Sequence, residues 1–403
     1  VTVDPARIAL IGTRGFGAVH LRRLARLDAA GTARLVGVVD VAESPAELAA
    51  IHHRSLAALL ETVPVEDRPE IVVIATPIDT HVPLTTEALA AGLDVYLEKP
   101  PVPALADHGE LLEAARAARR SVQVGFQARG GTGVDLLREE VAAGAFGADV
   151  AVRAYGAWSR DRAYYRRSAW AGRRRLDGRR VADGVATNPL AHSVHAALAV
   201  AGIDEVADIA AVTTELRRAH DIEADDTAFL RIEPAGEGPV VLCALTTTAP
   251  EQSAPWIEVT GSAGSHRLLY TEDTSVRAAA DGTAAELSHQ RADLLENLIA
   301  HVRDREVPLI SPLADTGAFS AVLEAIQSAP DPTPISAGSV IWHGTGEAEH
   351  PVVENIEQTL LRALETGRPF SELGVPWASA AAVHTWSPIT AAGPAMSPGA
   401  ASA

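Results

Sequence analysis

In the first third of the chain, apolar positions fall into short continuous runs separated by stretches of helical period. Ile8-Ala9-Leu10-Ile11, Leu35-Val36-Gly37-Val38-Val39, Ile71-Val72-Val73-Ile74-Ala75, Val95-Tyr96-Leu97 and Val122-Gln123-Val124 have the form of strands covered on both faces. Between them lie four helical patterns. One follows Gly17, with Val19, Leu21, Leu24 and Leu27 as candidate buried positions; the others run over 46–62, 81–92 and Leu105–Ala118. Alternation of this kind predicts a parallel, doubly wound α/β sheet of Rossmann type, here assigned to residues 1–128.

The pattern then changes. A helix over 134–141 is followed by strand-like runs over 150–157, 209–217, 227–232, 240–247 and Trp256–Gly261. This predicts an α+β second domain over 129–330, with an open, largely antiparallel sheet whose free face could receive a subunit partner and give a dimer or tetramer. Helices around Leu294, Leu298 and Val302 and over 314–328 are expected to be packing elements of that domain. Residues 331–377 are expected to form an extension docked on the body, including a helix over 352–365. From 378 to 403 the Ala/Ser/Pro/Gly composition predicts a disordered tail.

Composition narrows the function. The 403 residues carry a net charge of −18, which opposes nucleic-acid and anionic-membrane binding, since both need a positive field. A single cysteine, Cys243, excludes an intrachain disulfide and a multi-cysteine metal site, and its apolar surroundings predict an inert buried thiol; no metal is expected. No run of apolar residues is long enough to span a membrane and no signal peptide is evident, so a cytoplasmic location is expected.

Candidate chemistry gathers at the strand ends. The first strand runs into Gly12-Thr13-Arg14-Gly15-Phe16-Gly17 and then a helix, the context a phosphate-cradling loop needs. Arg14 stands where the middle glycine of GxGxxG would be. Asp40 ends the second strand, placed to accept ribose hydroxyls and repel a 2′-phosphate; with no Lys or Arg over 41–50, NAD is favoured over NADP. The strand through Val95-Tyr96-Leu97 stops at Glu98-Lys99-Pro100-Pro101, because proline cannot donate to a ladder. An acid and an amine therefore sit at the ligand-binding edge.

These pieces, with ATPIDTH at 75–81, AAGLDVYLEKP at 90–100 and VQVGFQAR at 122–129, resemble the Gfo/Idh/MocA family of glucose–fructose oxidoreductase and inositol dehydrogenase. The resemblance implies an NAD(H) site that draws on the glycine loop, Asp40, Ala75, Thr76, Pro77, His81, Glu98, Lys99 and Gln127. Glu98 would lie near the nicotinamide ribose and Lys99 would reach the oxygen on the reacting carbon, often after a cis Lys99–Pro100 bond.

Thr187-Asn188-Pro189-Leu190-Ala191-His192 reads as a helix start, with Asn188 as N-cap and Asn188, His192 and His195 on one polar stripe. Relatives in the resembled family carry Asp-x-x-x-His here. The resemblance therefore makes His192 the acid/base and puts Asn188 where the acid stands. Residues 160–180 hold nine arginines against two aspartates, interleaved with Tyr164, Tyr165 and Trp170. This segment either lines a cleft for a polyhydroxylated or acidic partner or is neutralised by the protein's own acids. Arg129, Trp158, Arg160, Asn188, His192 and His195 are the candidate substrate contacts; Lys99 and His192 are the candidate catalytic pair. The expected function is hydride transfer between NAD and a ring carbinol of a sugar, cyclitol or related polyol. A redox-neutral, NAD-retaining glycosidase or epimerase and a non-enzymatic NAD-binding regulator remain open alternatives.

Overall fold

A computed structural model of the chain describes residues 4–43, 46–379 and 382–388. The first domain is a six-stranded parallel sheet in the order β3-β2-β1-β4-β5-β6. Its strands are β1 (Ala6–Ile11), β2 (Ala33–Val39), β3 (His52–His53), β4 (Ile71–Ile74), β5 (Asp94–Leu97) and β6 (Val122–Val124). Helices α1 (Gly17–Ala29), α2 (Leu56–Thr62), α3 (His81–Ala90) and α4 (Leu105–Ala118) connect them. Strand residues alternate between the two faces: Ala6, Ile8, Leu10 and Tyr96 share one core cluster with Leu24 and Leu27 of α1, while Ala9, Ile11, Val95 and Leu97 share another with Ala88, Leu89 and Leu111.

Two sequence expectations change here. The buried face of α1 is His20, Arg23, Leu24 and Leu27, and Val19 is exposed. The 46–62 pattern is not one helix: a 3₁₀ turn over Ala46–Ile51 leads into the two-residue edge strand β3 before α2 begins, because Val38 and Val39 offer a free ladder to His52 and His53.

Helix α5 (Thr132–Ala142) leads to the second domain. Its elements follow as β7 (Ala151–Ala157), α6 (Arg162–Arg166), the small hairpin β8 (Arg175–Leu176) and β9 (Arg179–Arg180), and α7 (Ala191–Ala201). Then come β10 (Ile209–Arg218), β11 (Thr227–Pro234), β12 (Val240–Thr246), β13 (Trp256–Gly261), β14 (Gly264–Leu269), β15 (Thr274–Ala279) and β16 (Ala284–Ser288). The large sheet contains the run β16-β15-β14-β13-β7-β12-β11-β10, antiparallel except where β7 lies parallel to β12, and is extended beyond β10 by a parallel pairing of Arg217 and Arg218 with Thr333 and Pro334. Strands β15 and β16, alanine-containing and largely exposed, had no apolar alternation to announce them.

Helix α8 (Leu294–Arg303) does not pack in the second domain. Leu294, Leu295, Leu298 and Ile299 return to the first domain and join Ile8, Leu10, Tyr96 and Leu24 in one cluster. Ion pairs Arg305–Asp94 at 2.7 Å and Arg303–Glu70 at 3.0 Å fix that return. Helix α9 (Gly317–Ser328) packs beneath the second sheet with α7.

The far face of that sheet is covered as well. After β17 (Thr333–Pro334), β18 (Val340–His343) and β19 (His350–Val353) form a hairpin, and α10 (Ile356–Thr366) follows. Leu360, Leu364, Phe370 and Trp377 pack on Tyr155, Phe229, Leu242, Ala244 and Trp256. The face expected to be free for a subunit is thus filled at its centre by the chain's own extension. Helix α10 begins at Ile356, not 352, because Val352 and Val353 pair in the hairpin. The tail expected to be disordered from 378 contains an ordered strand, β20 (Val383–Trp386), paired antiparallel with β10; residues 389–403 lie outside the described residues. No helix among the described residues is long and apolar enough to cross a membrane.

Candidate functional site

The site forms where the loops after β1, β2, β4 and β5 meet α7. The turn after β1 is tight for steric reasons. Gly12 has φ +87°, and a Cβ there would lie 2.6 Å from the Ala75 carbonyl oxygen; a Cβ on Gly17 would lie 2.1 Å from the Gly12 oxygen. Among the described residues, the N–H groups of Arg14, Gly15 and Phe16 meet no acceptor, so three donors at the head of α1 remain for an anion. Asp40 Oδ2 accepts from Thr13 N at 3.0 Å and Thr13 Oγ1 at 2.6 Å, and Oδ1 accepts from Ala42 N at 3.0 Å. Burial alone would raise its pKa; the hydrogen bonds from Thr13 and Ala42 and the Arg14 charge hold it below the ordinary value. Asp40 is therefore a fixed anion beside the loop, with a lone-pair site on Oδ1 still open to a hydroxyl donor. A loop of free amides next to such a carboxylate fits the pyrophosphate and adenosine ribose of NAD.

The loop after β4 contributes Ala75, Thr76 and Pro77. Thr80 Oγ1 donates to Thr76 Oγ1 at 2.6 Å and anchors the turn. His81 is not free for a ligand: it is buried, with Nδ1 2.9 Å from the Pro100 oxygen and Nε2 2.9 Å from the Thr76 oxygen. It staples the β4 loop to the Lys99–Pro100 turn, whose peptide bond is cis.

At the end of β5, Glu98 is buried and bonded inward. Its Oε1 lies 2.8 Å from His20 Nε2 and 3.4 Å from Gln127 Nε2, and Gln127 also reaches the Tyr96 hydroxyl at 3.1 Å. A Cβ on Gly125 would lie 2.9 Å from Glu98 Oε1, so glycine there makes room for the carboxylate. The His20 contact was not anticipated; its only sequence signal is a polar residue at a buried helix position.

Lys99 points the other way, towards α7. Its Nζ donates to Asn188 Oδ1 at 2.7 Å and to the Asn188 backbone oxygen at 2.9 Å. Burial lowers the Lys99 pKa; Glu98 and Asp183 oppose that shift, and Arg167 adds to it. Lys99 is the only lysine in the chain, against 33 arginines, a signal the sequence contains that motif spacing alone does not reveal. An amine in this setting holds its proton less firmly than a guanidinium would, which separates Lys99 from the arginines.

Asn188 does not cap α7. The helix starts at Ala191 after Leu190, and Asn188 lies in the preceding turn with its side chain between Lys99 and Asp183. The expected stripe also divides. His192 is half-buried and meets the Phe126 ring edge-on at 5.9 Å, and Nδ1 has no partner among the described residues. Burial, then the charges of Lys99 and Arg291, push its pKa down to about 3, so the ring is neutral at pH 7. His195 is no substrate contact: it is buried, stacked on Phe126 at 3.8 Å, one turn further into the core.

Arg129 is likewise structural, buried and paired with Asp135 at 3.0 Å. Trp158 donates to the Ser253 oxygen at 3.1 Å. The Arg160 guanidinium sits over Trp158 at 4.6 Å and over Tyr164 at 5.0 Å; Arg167 sits over Tyr164 at 3.8 Å and over Trp170 at 4.6 Å. The arginine-rich segment borders a cavity of about 1020 Å³ lined by Arg162, Arg173, Arg174 and Arg175, among others. Most of its cations are spoken for: Arg162 pairs with Glu349, Arg166 with Glu347, Arg180 with Glu324, and Arg174 donates to the last carbonyls of α9. Neutralisation by the protein's own acids is the reading these contacts favour. Burial pushes the Cys243 thiol up to about 12, consistent with an inert group. No cluster of metal-ligating side chains occurs among the described residues.

Comparison with known proteins agrees with this fold. Residues 6–126 match the model of an oxidoreductase family with an NAD-binding Rossmann fold, and residues 134–267 match the C-terminal domain model of the same GFO/IDH/MocA family. An inositol 2-dehydrogenase of Rubrobacter xylanophilus is 37% identical over 158 residues, 38% of this chain and 44% of that protein. One of Leifsonia xyli is 33% identical over 144 residues, 36% of this chain and 42% of that protein. The matched stretch thus spans less than half the length of either relative. An inositol dehydrogenase homologue of Azotobacter vinelandii, solved with NADH and myo-inositol, superposes with a TM-score of 0.65 at 18% identity, covering 81% of this chain and 96% of that one. The WlbA dehydrogenase of Bordetella pertussis, solved with NADH and UDP-GlcNAcA, gives a TM-score of 0.63 at 22% identity over 80% of this chain and 95% of that one. At these identities the two structures speak for the fold. With both domain models matched in order and the strand-end site in place, the chain belongs to the GFO/IDH/MocA family.

Proposed function

We propose that the protein is an NAD-dependent dehydrogenase of a polyhydroxylated substrate, a cyclitol or sugar. The observation that carries this reading is the bond of Lys99 to Asn188, in the turn that leads to His192 on α7, close enough for the Lys99 charge to act on the imidazole, at the strand ends that also hold the phosphate loop and Asp40. NAD, when bound, supplies the hydride acceptor. The amides of Arg14, Gly15 and Phe16 and the Asp40 carboxylate hold its phosphate and ribose ends. His192, neutral at pH 7, accepts the proton of the substrate hydroxyl as the carbinol carbon becomes a carbonyl carbon. Lys99 donates a hydrogen bond to the same oxygen, stabilising the negative charge that grows there as the proton departs. The cation beside His192 also keeps the imidazole unprotonated in the resting site.

The curated relatives named inositol 2-dehydrogenase favour a cyclitol, and the neighbour solved with UDP-GlcNAcA makes a nucleotide sugar the other class to test. Purified protein is incubated with NAD and a panel of inositols, free sugars and nucleotide sugars, and the reduced nicotinamide is followed by absorbance. Turnover with one class, abolished in Lys99→Met and His192→Asn, is the expected result. Absence of turnover across the panel with NAD demonstrably bound would overturn the dehydrogenase reading.

A further inference from the structure

Behind Asn188, one side chain further from Lys99, stands a buried carboxylate, Asp183, five positions earlier in the chain. Asn188 Nδ2 donates to Asp183 Oδ1, and Asn188 Oδ1 accepts from Lys99 at 2.7 Å. Asp183 is buried and held from behind: Arg167 donates to its two oxygens at 3.1 and 3.0 Å, and the Gly172 N–H donates at 2.7 Å. Arg167 is itself gripped between the rings of Tyr164 and Trp170. The order through the protein is guanidinium, carboxylate, amide, ammonium.

We propose that Asp183 is the positioning carboxylate of the Lys99 site, acting through the Asn188 amide. An asparagine amide has a donor end and an acceptor end, and the Lys99 ammonium, which donates only, is met by the acceptor end. A carboxylate accepts only, so Asp183 holds the orientation in which Oδ1, the acceptor, faces the ammonium. The same carboxylate places a negative charge one side chain away from Lys99, where an acid at 188 would have placed it in contact. The groups facing Lys99 are then the carboxylates Glu98 and Asp183, Arg167 behind Asp183 as a cation, and His192 as a neutral ring; burial raises the Asp183 pKa, and Arg167, Asn188 and the Gly172 N–H oppose that rise. Removing Asp183 leaves Arg167 uncompensated and the Asn188 amide free to turn. Both changes disfavour a protonated Lys99. This explains what the arginine-rich segment does for the site: Arg167 and Gly172 pin the carboxylate that orients the amide. The geometric claim stands on its own, and its consequence for turnover rests on the dehydrogenase reading above.

Because Lys99 is the only lysine, protein grown on lysine labelled with ¹³C and ¹⁵N in the side chain gives one side-chain signal, whose pH titration reports Lys99 directly. Asp183→Asn is expected to move that titration down by about one pH unit, the size of a unit charge lost at this range in a partly screened medium. The exchange variant Asp183→Asn/Asn188→Asp, which restores a carboxylate in contact with the amine, is expected to move it above that of the unaltered protein. With a turning-over substrate, kcat should fall about tenfold or more in the single variant and recover within a few-fold in the exchange. A Lys99 titration unmoved in the single variant would overturn the proposal. Should the single variant fail to fold, the exchange variant decides: an unmoved or lowered titration there overturns it equally. Titrations that move as stated in a protein with no turnover would retain the role of Asp183 and remove the dehydrogenase reading.

Discussion

His20 and Glu98, 78 residues apart, meet in the floor of the cofactor side of the first domain, Nε2 to Oε1 at 2.8 Å. His20 lies on the first turn of α1 and Glu98 just after β5, so the contact ties the helix that follows the phosphate loop to the strand that delivers Lys99. The Tyr96 ring packs against the same imidazole at 5.3 Å, and Phe16 at 5.5 Å. A buried carboxylate stripped of such a partner is costly, by about 1–3 kcal/mol. His20→Leu should therefore lower stability by that amount in urea titration and also weaken NAD binding in calorimetry, because Glu98 would turn to seek another donor. A variant destabilised with NAD affinity unchanged would show the contact to be structural alone.

Asp40 is expected to set cofactor choice. Its carboxylate is fixed by Thr13 and Ala42 and kept charged by them, so a 2′-phosphate would meet a full negative charge. NAD(H) should bind at least about tenfold more tightly than NADP(H), a difference of about 1.4 kcal/mol. Asp40→Ala should narrow the gap, helped by Arg14, which lies close enough to act on Asp40. Equal binding of the two cofactors by the unaltered protein in calorimetry would refute this.

What was legible in the sequence follows the physics of each signal. Continuous apolar runs ending in Gly12, Asp40 and Lys99-Pro100 placed the sheet, the loop and the ligand edge, because buried parallel strands and glycine or proline stops are local properties. Apart from Asp183 and Asn188, five positions apart, the partners of the site residues were not local. Nothing in the spacing connects His20 to Glu98, or Asp183 and Asn188 to Lys99, since these contacts depend on how α1, β5 and the turn before α7 are juxtaposed. His195 went to the wrong side because α7 is buried on nearly its whole circumference, so a polar residue there marks neither solvent nor cleft. Helix α8 misled for a similar reason: an amphipathic pattern says that a face is buried, not against which domain.

The extension after 331 is held by a buried ion pair as well as by apolar packing. Arg217 Nε donates to Glu215 Oε1 at 2.9 Å, and Glu215 Oε2 accepts from Ser371 N and Oγ, both at 3.0 Å. Removing one member of a buried pair strands the other, at a cost of about 3–5 kcal/mol. Glu215→Ala should lose that much in denaturant unfolding. Leu360→Asp, which places a carboxylate among Tyr155, Leu242 and Phe370, should lift α10 from the sheet and expose the apolar face beneath. Size-exclusion chromatography should then show self-association beyond that of the unaltered protein at the same concentration. An unchanged elution profile with unchanged stability would mean that the extension does not cover that face in solution.

His192 couples the chemistry to pH. Its ordinary pKa of 6.5 is driven down to about 3 by burial first and by the neighbouring Lys99 and Arg291 charges next. In a depressed histidine the unfolded chain binds the proton more readily than the fold, so stability rises with pH across the window from about 3 to 6.5 and is lost as pH falls through it. His220, pushed to about 4 mainly by burial, acts in the same direction. Asp225 and Asp226, raised by burial to about 6 and about 7, act oppositely, because the fold then holds more protons than the unfolded chain and stability declines as pH rises towards those values. The two sets are separable by substitution. His192→Asn removes one proton acceptor from the unfolded chain and none from the fold, so urea unfolding at pH 5 should weaken less, relative to pH 7, than in the unaltered protein. Activity should show the same displaced value: with His192 neutral throughout the window, kcat/KM should have no acid limb centred near 6.5 and should fall only where the fold itself gives way. An acid limb at that ordinary value in the folded, unaltered protein would show that His192 titrates as an exposed imidazole and is not the base packed beside Lys99.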